Sequence, residues 1–130
     1  MSSLPAPSVV IFVANVENLT TFYRELAAMK MIGGDGQHSV LEVAGLQVVI
    51  HALRGEPRDG PIKVRTDTHI KVCLPVESIA GARARAAALG GRIKPPSAEW
   101  EAREFRACDG HDPEGNVLQV RQSATGTPRT

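Results

Sequence analysis

With 130 residues, 42% of them hydrophobic and 22% charged, the chain has the mix of one globular domain, or of two small modules sharing a core. A formal net charge of +1, with the two signs interspersed, leaves no basic face for tracking phosphates, so nucleic acid is not an expected partner. The apolar run "VVIFVA" is far too short to cross a bilayer and lacks the basic flank of a signal sequence, which points to a strand of a cytoplasmic protein and to no membrane partner.

Ser8 to Ala14 is rich in β-branched residues and reads as the first strand. In "NVENLTTFYRELAAM", Leu19, Phe22, Tyr23 and Leu26 recur at i, i+3, i+4 and i+7, the apolar stripe of a helix. Gly33, Gly34 and Gly36 then punctuate a turn, and "HSVLEVAG" and "LQVVIHAL" give two strands joined tightly through Ala44 and Gly45. The first half thus spells β, α and about three strands. Residues 54–67, with two prolines and two glycines among many charges, read as an exposed linker.

The pattern then starts again. "THIKVCLPV" is a strand closed by Pro75, and "ESIAGARARAAALGG" is a helix. It carries Ile79, Ala82, Ala86 and Leu89 on one face, turns Arg83 and Arg85 to solvent, and stops at two glycines. "RIK" is a short strand, "PPSAEWEA" a loop, and "REFRACD" and "NVLQVRQ" the last two strands. Between those strands Asp112-Pro113-Glu114-Gly115 is a turn signal, in which the aspartate caps, the proline presets φ and glycine takes the fourth place. The expectation is an α+β fold of two βαβββ modules, residues 8–53 and 68–122, with flexible tails at 1–7 and 123–130. Neither module alone buries both its helix stripe and its sheet; joined, curved mixed sheets surround a cleft and the helices lie outside.

Alternation along each strand separates a helix-facing set from a cleft-facing set. Val9, Ile11 and Val13 form the core set of the first strand, which leaves Ser8, Val10, Phe12 and Ala14 for the cleft. Leu46, Val48 and Ile50 leave Gln47, Val49 and His51. Ile70, Val72 and Leu74 leave His69, Lys71 and Cys73, and Leu118 and Val120 leave Val117, Gln119 and Arg121. One cleft is therefore offered Ser8, His51, His69 and Gln119, flanked by Lys71, Cys73 and Arg121.

These segments resemble the vicinal oxygen chelate superfamily, which includes glyoxalases, bleomycin-resistance proteins, fosfomycin-resistance enzymes and extradiol dioxygenases. "VANVENLTTFYRELAAM", "HIKVCLPVESIAGARARAAALGG" and above all "DPEGNVLQV" carry the resemblance, which spans roughly residues 8–122. It implies paired βαβββ modules, a homodimer, and a divalent metal (Zn, Ni, Mn or Fe) bound from the first and last strands of each module. Carried over position by position, those places fall on Ser8, His51, His69 and Gln119. None is a glutamate, so His51, His69 and the Gln119 oxygen form the implied ligand set.

Two function classes follow. In the first, the chain is a lyase-, isomerase- or dioxygenase-like enzyme acting on a small carbonyl, enol or diol. A metal at a degenerate site polarises the substrate, Gln119, Lys71 and Cys73 take catalytic roles, and Ser8, Phe12, Trp100 and Arg121 contact the substrate. In the second it is a metal-free protein that binds an antibiotic or metabolite, as bleomycin-resistance members do. On that reading His51 and His69 are ordinary hydrogen-bonded histidines, and Gln119 is a polar cleft residue. Cys73 is otherwise a small apolar strand residue, and Trp100 either a loop anchor or a lid over the cleft. Cys73 and Cys108 are expected as reduced thiols, a bond between them being the alternative.

Overall fold

The computed structural model describes residues 4–55 and 62–124. Part of the expected linker, 56–61, and parts of the expected tails, 1–3 and 125–130, lie outside the described residues. The first half runs β1 (Ser8–Val13), α1 (Val16–Leu26), β2 (Lys30–Asp35), β3 (His38–Val43) and β4 (Leu46–Ala52). Its strands form an open sheet in the order β1-β4-β3-β2, with β1 parallel to β4 and the rest antiparallel. The second half runs β5 (Val72–Pro75), α2 (Ile79–Ala88), β6 (Arg92–Ile93), β7 (Trp100–Ala102), β8 (Phe105–His111) and β9 (Val117–Ser123). Its sheet has the order β5-β9-β8-β6, with β7 also paired to β8 and β5 parallel to β9. This is the expected α+β architecture: two mixed sheets, neither closed.

Each helix starts where a side chain takes over a backbone partner. The Asn15 side chain accepts from Asn18 N at 2.9 Å and Ser78 from Gly81 N at 3.1 Å. The stripe Leu19, Phe22, Tyr23 and Leu26 is fully buried against Val48, Ile50 and Leu41 of the first sheet, while Ile79, Ala82 and Ala86 join Leu74, Leu118 and Val120 of the second. Burying each large side chain contributes on the order of 1.5–3 kcal/mol. The two helices also meet each other, so both halves share one apolar cluster.

Polar contacts tie the second half to α1 along its length. At the N-terminal end the Glu114 carboxylate accepts from Ala14 N and Asn15 N, both at 2.8 Å, where the helix dipole favours negative charge. At the other end Arg85 donates to the Leu26 carbonyl at 3.0 Å. In between, the Tyr23 hydroxyl donates to buried Asp112 at 2.7 Å. Burial, reinforced by the Asp112 charge, pushes the Tyr23 phenol well above its usual range.

Four details depart from the sequence-based expectation. Gly33 and Gly34 lie inside β2, at a register shift against β3, and not in a turn. The loop around Trp100 contains β7, which the β8 edge recruits. Ile70 is 76% exposed, because β5 begins only at Val72 and the alternation does not extend back to it. Arg83 and Arg85 are not a solvated face. Arg83 donates to Glu99 at 2.6 Å and to the Lys94 carbonyl at 2.7 Å, and Arg85 reaches α1. Long guanidinium side chains can satisfy carbonyls that an apolar stripe leaves open.

Candidate functional site

The helix-covered faces are filled, so polar chemistry is confined to the opposite face of each sheet. On the first sheet the register sets Phe12 beside His51 and His51 beside His38. Their rings touch in sequence, Phe12 to His51 at 5.4 Å between centroids and His51 to His38 at 6.0 Å. The His51 Nδ1 lies 2.8 Å from the Ala52 carbonyl, and that of His38 lies 3.0 Å from Asp35. Ser8 instead pairs with Gln47. It stands four residues from Phe12 along β1, roughly 13 Å at the usual strand rise, and therefore two rows away from His51.

That register keeps Ser8 and His51, two of the four places the resemblance carries over, apart on the first sheet. Ligand atoms about 2 Å from a common ion cannot stand two strand rows apart. His69 lies before β5, exposed, and lines a hollow with Arg65, Asp67, Thr68 and Ile70. Among the described residues no group of three His, Cys, Asp or Glu side chains could hold a metal ion.

The open face of the second sheet is organised differently. The register places Cys73, Gln119 and Asp109 in one row across β5, β9 and β8, and Arg121, Ala107 and Trp100 in the next. Gln119 is 3% exposed. Its Nε2 donates to Asp109 Oδ1 at 2.9 Å, and its Oε1 accepts from Arg121 Nε at 2.6 Å. Lys71 Nζ donates to the other Asp109 oxygen at 2.9 Å. Arg121 also lies over the Phe105 ring, 4.3 Å from its centroid, and Trp100 meets the same ring edge-on at 6.2 Å. Cys73 is half-buried with a weak 3.9 Å contact to the Lys71 carbonyl; it and Cys108 are free thiols.

Of the residues read from sequence, then, the second sheet brings together Lys71, Cys73, Gln119, Arg121 and Trp100. Ser8, Phe12 and His51 lie on the first sheet and His69 on the linker end.

Asp109 escaped the sequence reading, though the alternation of Phe105, Ala107, Asp109 and His111 along β8 carries the signal. Burial pushes its carboxyl up, but the Gln119 amide and the Lys71 ammonium outweigh that and hold it below the usual carboxylate range. A carboxylate held by two such donors is placed as a fixed acceptor.

Beside this row lies a cavity of about 480 Å³, and the linker forms one of its walls. Val64, Arg65, Thr66, Asp67 and Thr68 face Lys71, Asp109 and His111 across it. The linker is seated by Gly115, whose φ is +84° and where a Cβ would run into the Lys63 carbonyl oxygen. Only glycine allows that approach. Arg65 N then donates to Gly115 O at 3.0 Å. The Asp-Pro-Glu-Gly turn therefore feeds β9, grips α1 through Glu114 and docks the cavity wall.

A divalent ion finds an unsuitable donor set here. The Gln119 oxygen already faces the Arg121 guanidinium, and the one carboxylate in the row is neutralised by Lys71. Within this chain the Gln119 oxygen, one of the three implied ligands, is therefore already engaged.

Residues 8–121 match the family model described as a glyoxalase-like domain. No curated protein matches the sequence. Among solved structures, a glyoxalase/bleomycin resistance protein/dioxygenase family enzyme from Burkholderia phytofirmans PsJN superposes with a TM-score of 0.66 at 17% identity, over 89% of this chain and 96% of that one. The fosfomycin resistance protein FosX from Listeria monocytogenes, solved with Mn(II) and sulfate, gives 0.64 at 17% identity, over 95% and 93%. An integron cassette protein from the mobile metagenome of V. cholerae gives 0.62 at 20% identity, over 94% and 97%.

Proposed function

We propose that this chain, which belongs to the glyoxalase-like family of the vicinal oxygen chelate superfamily, is a small-molecule-binding protein whose ligand sits on the open face of its second sheet without a resident metal. One observation carries the reading: Lys71, Asp109, Gln119 and Arg121 form a hydrogen-bonded chain that already occupies the Gln119 oxygen. Such a chain presents fixed donors and acceptors beside a cavity, the usual make-up of a ligand site. Phe105 and Trp100 add apolar surface at one end of it. Cys73 stands in the row beside Gln119.

The alternative is a metalloenzyme, and the similar structure of FosX was solved with Mn(II). Calorimetric titration of untagged protein with Mn(II), Ni(II) or Zn(II) separates the two. The expected result is no stoichiometric uptake. Tight uptake of one ion per chain, lost in His51→Ala and in His69→Ala, would restore the metalloenzyme and place the substrate at that ion.

A homodimer is part of the same proposal. Val10, Phe12, Val64 and Ile70 are 45%, 51%, 47% and 76% exposed, and β1 and β5 are open sheet edges. Apolar groups on open edges favour closure by a second copy, and two-fold pairs are the commonest assembly. Sedimentation at micromolar concentration should give twice the 13.9 kDa chain mass, and a mass of one chain would contradict the pairing. Among the described residues no helix is long and apolar enough to cross a membrane.

A further inference from the structure

The cavity under the linker collects more positive charge than a chain of net charge +1 leads one to expect. Arg65, Lys71, Arg92 and Lys94 line it, against Asp67 and Asp109. Asp109 is committed to Lys71 and Gln119. Among the described residues, Arg65, Arg92 and Lys94 make no side-chain ion pair. The arginines elsewhere on this half behave otherwise: Arg83 and Arg106 converge on Glu99 and cancel its charge.

The register explains the convergence. Arg92 on β6 pairs with His111 on β8, and the backbone of Lys94, just past β6, donates to the Asp109 carbonyl, so both lie along the edge that borders the Asp109 row. The linker seated on Gly115 brings Arg65 over from the far side. The volume suits a ligand of metabolite size.

We propose that this cavity binds its small molecule through an oxyanion, a carboxylate or a phosphoryl group, held by Arg92 and Lys94 with Lys71 and Arg65 at the rim. The proposal rests on the ligand reading above and names the chemical class that reading leaves open. Planar guanidinium forks match both kinds of oxyanion, and charge-assisted bonds are about twice as strong as neutral ones. Asp109 serves as the internal counter-charge: it takes the hydrogen bond of Lys71 and feels the nearby Lys94 ammonium without pairing with it, so Arg92 and Lys94 keep their donors for the ligand.

The test follows backbone amide shifts of isotope-labelled protein, at constant ionic strength, with four probes. Sodium methylphosphonate and sodium acetate carry the charge, and dimethyl methylphosphonate and acetamide are their neutral counterparts. The ionic probes should shift the amides of Arg92, Lys94, Asp109 and His111 saturably, and the double variant Arg92→Gln, Lys94→Gln should weaken them at least about tenfold. Both side chains are exposed, so the variant should keep the wild-type melting temperature. The stronger of the two ionic probes identifies whether phosphoryl or carboxylate is preferred. Equal shifts from the neutral counterparts, or ionic affinity unchanged in the double variant, would overturn the oxyanion while leaving a cleft that binds small molecules. If no probe moves any amide on the open face of the second sheet, both the oxyanion and the cleft reading fail.

Discussion

Replacing Asp112 with alanine is expected to destabilise the protein by about 3–5 kcal/mol and to lower its melting temperature by more than about 10 °C. Asp112 is completely buried, and its two oxygens serve four donors. Oδ1 accepts from Glu114 N at 2.8 Å and Asn116 N at 3.0 Å; Oδ2 accepts from the Tyr23 hydroxyl at 2.7 Å and Asn116 Nδ2 at 3.0 Å. Alanine strands all four, and the loss of a buried acceptor costs more than the net worth of its bonds. The damage spreads because the same turn places Glu114 against α1 and Gly115 under the linker. Tyr23→Phe removes one of the four bonds and should cost about 1–2 kcal/mol. A circular-dichroism melt checks both, and an Asp112→Ala protein melting within about 3 °C of wild type would contradict the turn's role.

The second large effect is expected from Gln119→Glu. The substitution keeps the shape but turns the amide nitrogen that donates to Asp109 into a carboxylate oxygen about as close to it. Two carboxylates at that separation do not both ionise freely, so one acquires a raised pKa. Arg121 and Lys71 offset part of the repulsion, and partial exposure screens the rest, leaving a deficit of about 1–2 kcal/mol at neutral pH. A group whose folded pKa is raised contributes fully below its unfolded value and loses that contribution as pH rises. The deficit should therefore be present at pH 7 and shrink toward pH 4. In the wild type the sign is opposite: Asp109 has a lowered pKa, so its contribution holds above the ordinary carboxylate range and is lost only under stronger acid. Melting curves of both proteins at pH 7 and pH 4.5 test this. A Gln119→Glu variant as stable as wild type at both pH values would mean that Gln119 does not face Asp109.

Periodicity made most of the fold legible. The α1 stripe, the apolar strand faces and the Asp-Pro-Glu-Gly turn each follow from local spacing that tertiary packing has no reason to override. Ile70 and Trp100 show where that stops. Whether a strand starts four residues earlier, or a loop is drawn onto an edge, depends on partners distant in the chain. Alternation along a strand separates a cleft-facing set from a core set, and Cys73 and Gln119 both belong to the former. Register is not legible that way. Ser8 stands opposite Gln47 and not His51, and a list of cleft-facing residues carries no information on which rows coincide. Asp109 is invisible to a reading of β9 alone, because the neighbouring strand supplies that carboxylate across the pair from Gln119.

On the proposed reading the Gln119 oxygen belongs to Arg121 and not to a metal, and relaxation by Mn(II) tests this. A bound Mn(II) ion broadens nearby nuclear resonances beyond detection. On stepwise addition of Mn(II) up to one equivalent, the side-chain amide signal of Gln119 and the ring signals of His51 and His69 should remain sharp, with any loss confined to exposed carboxylates. Selective disappearance of all three at a small fraction of an equivalent would put an ion among them and contradict the account.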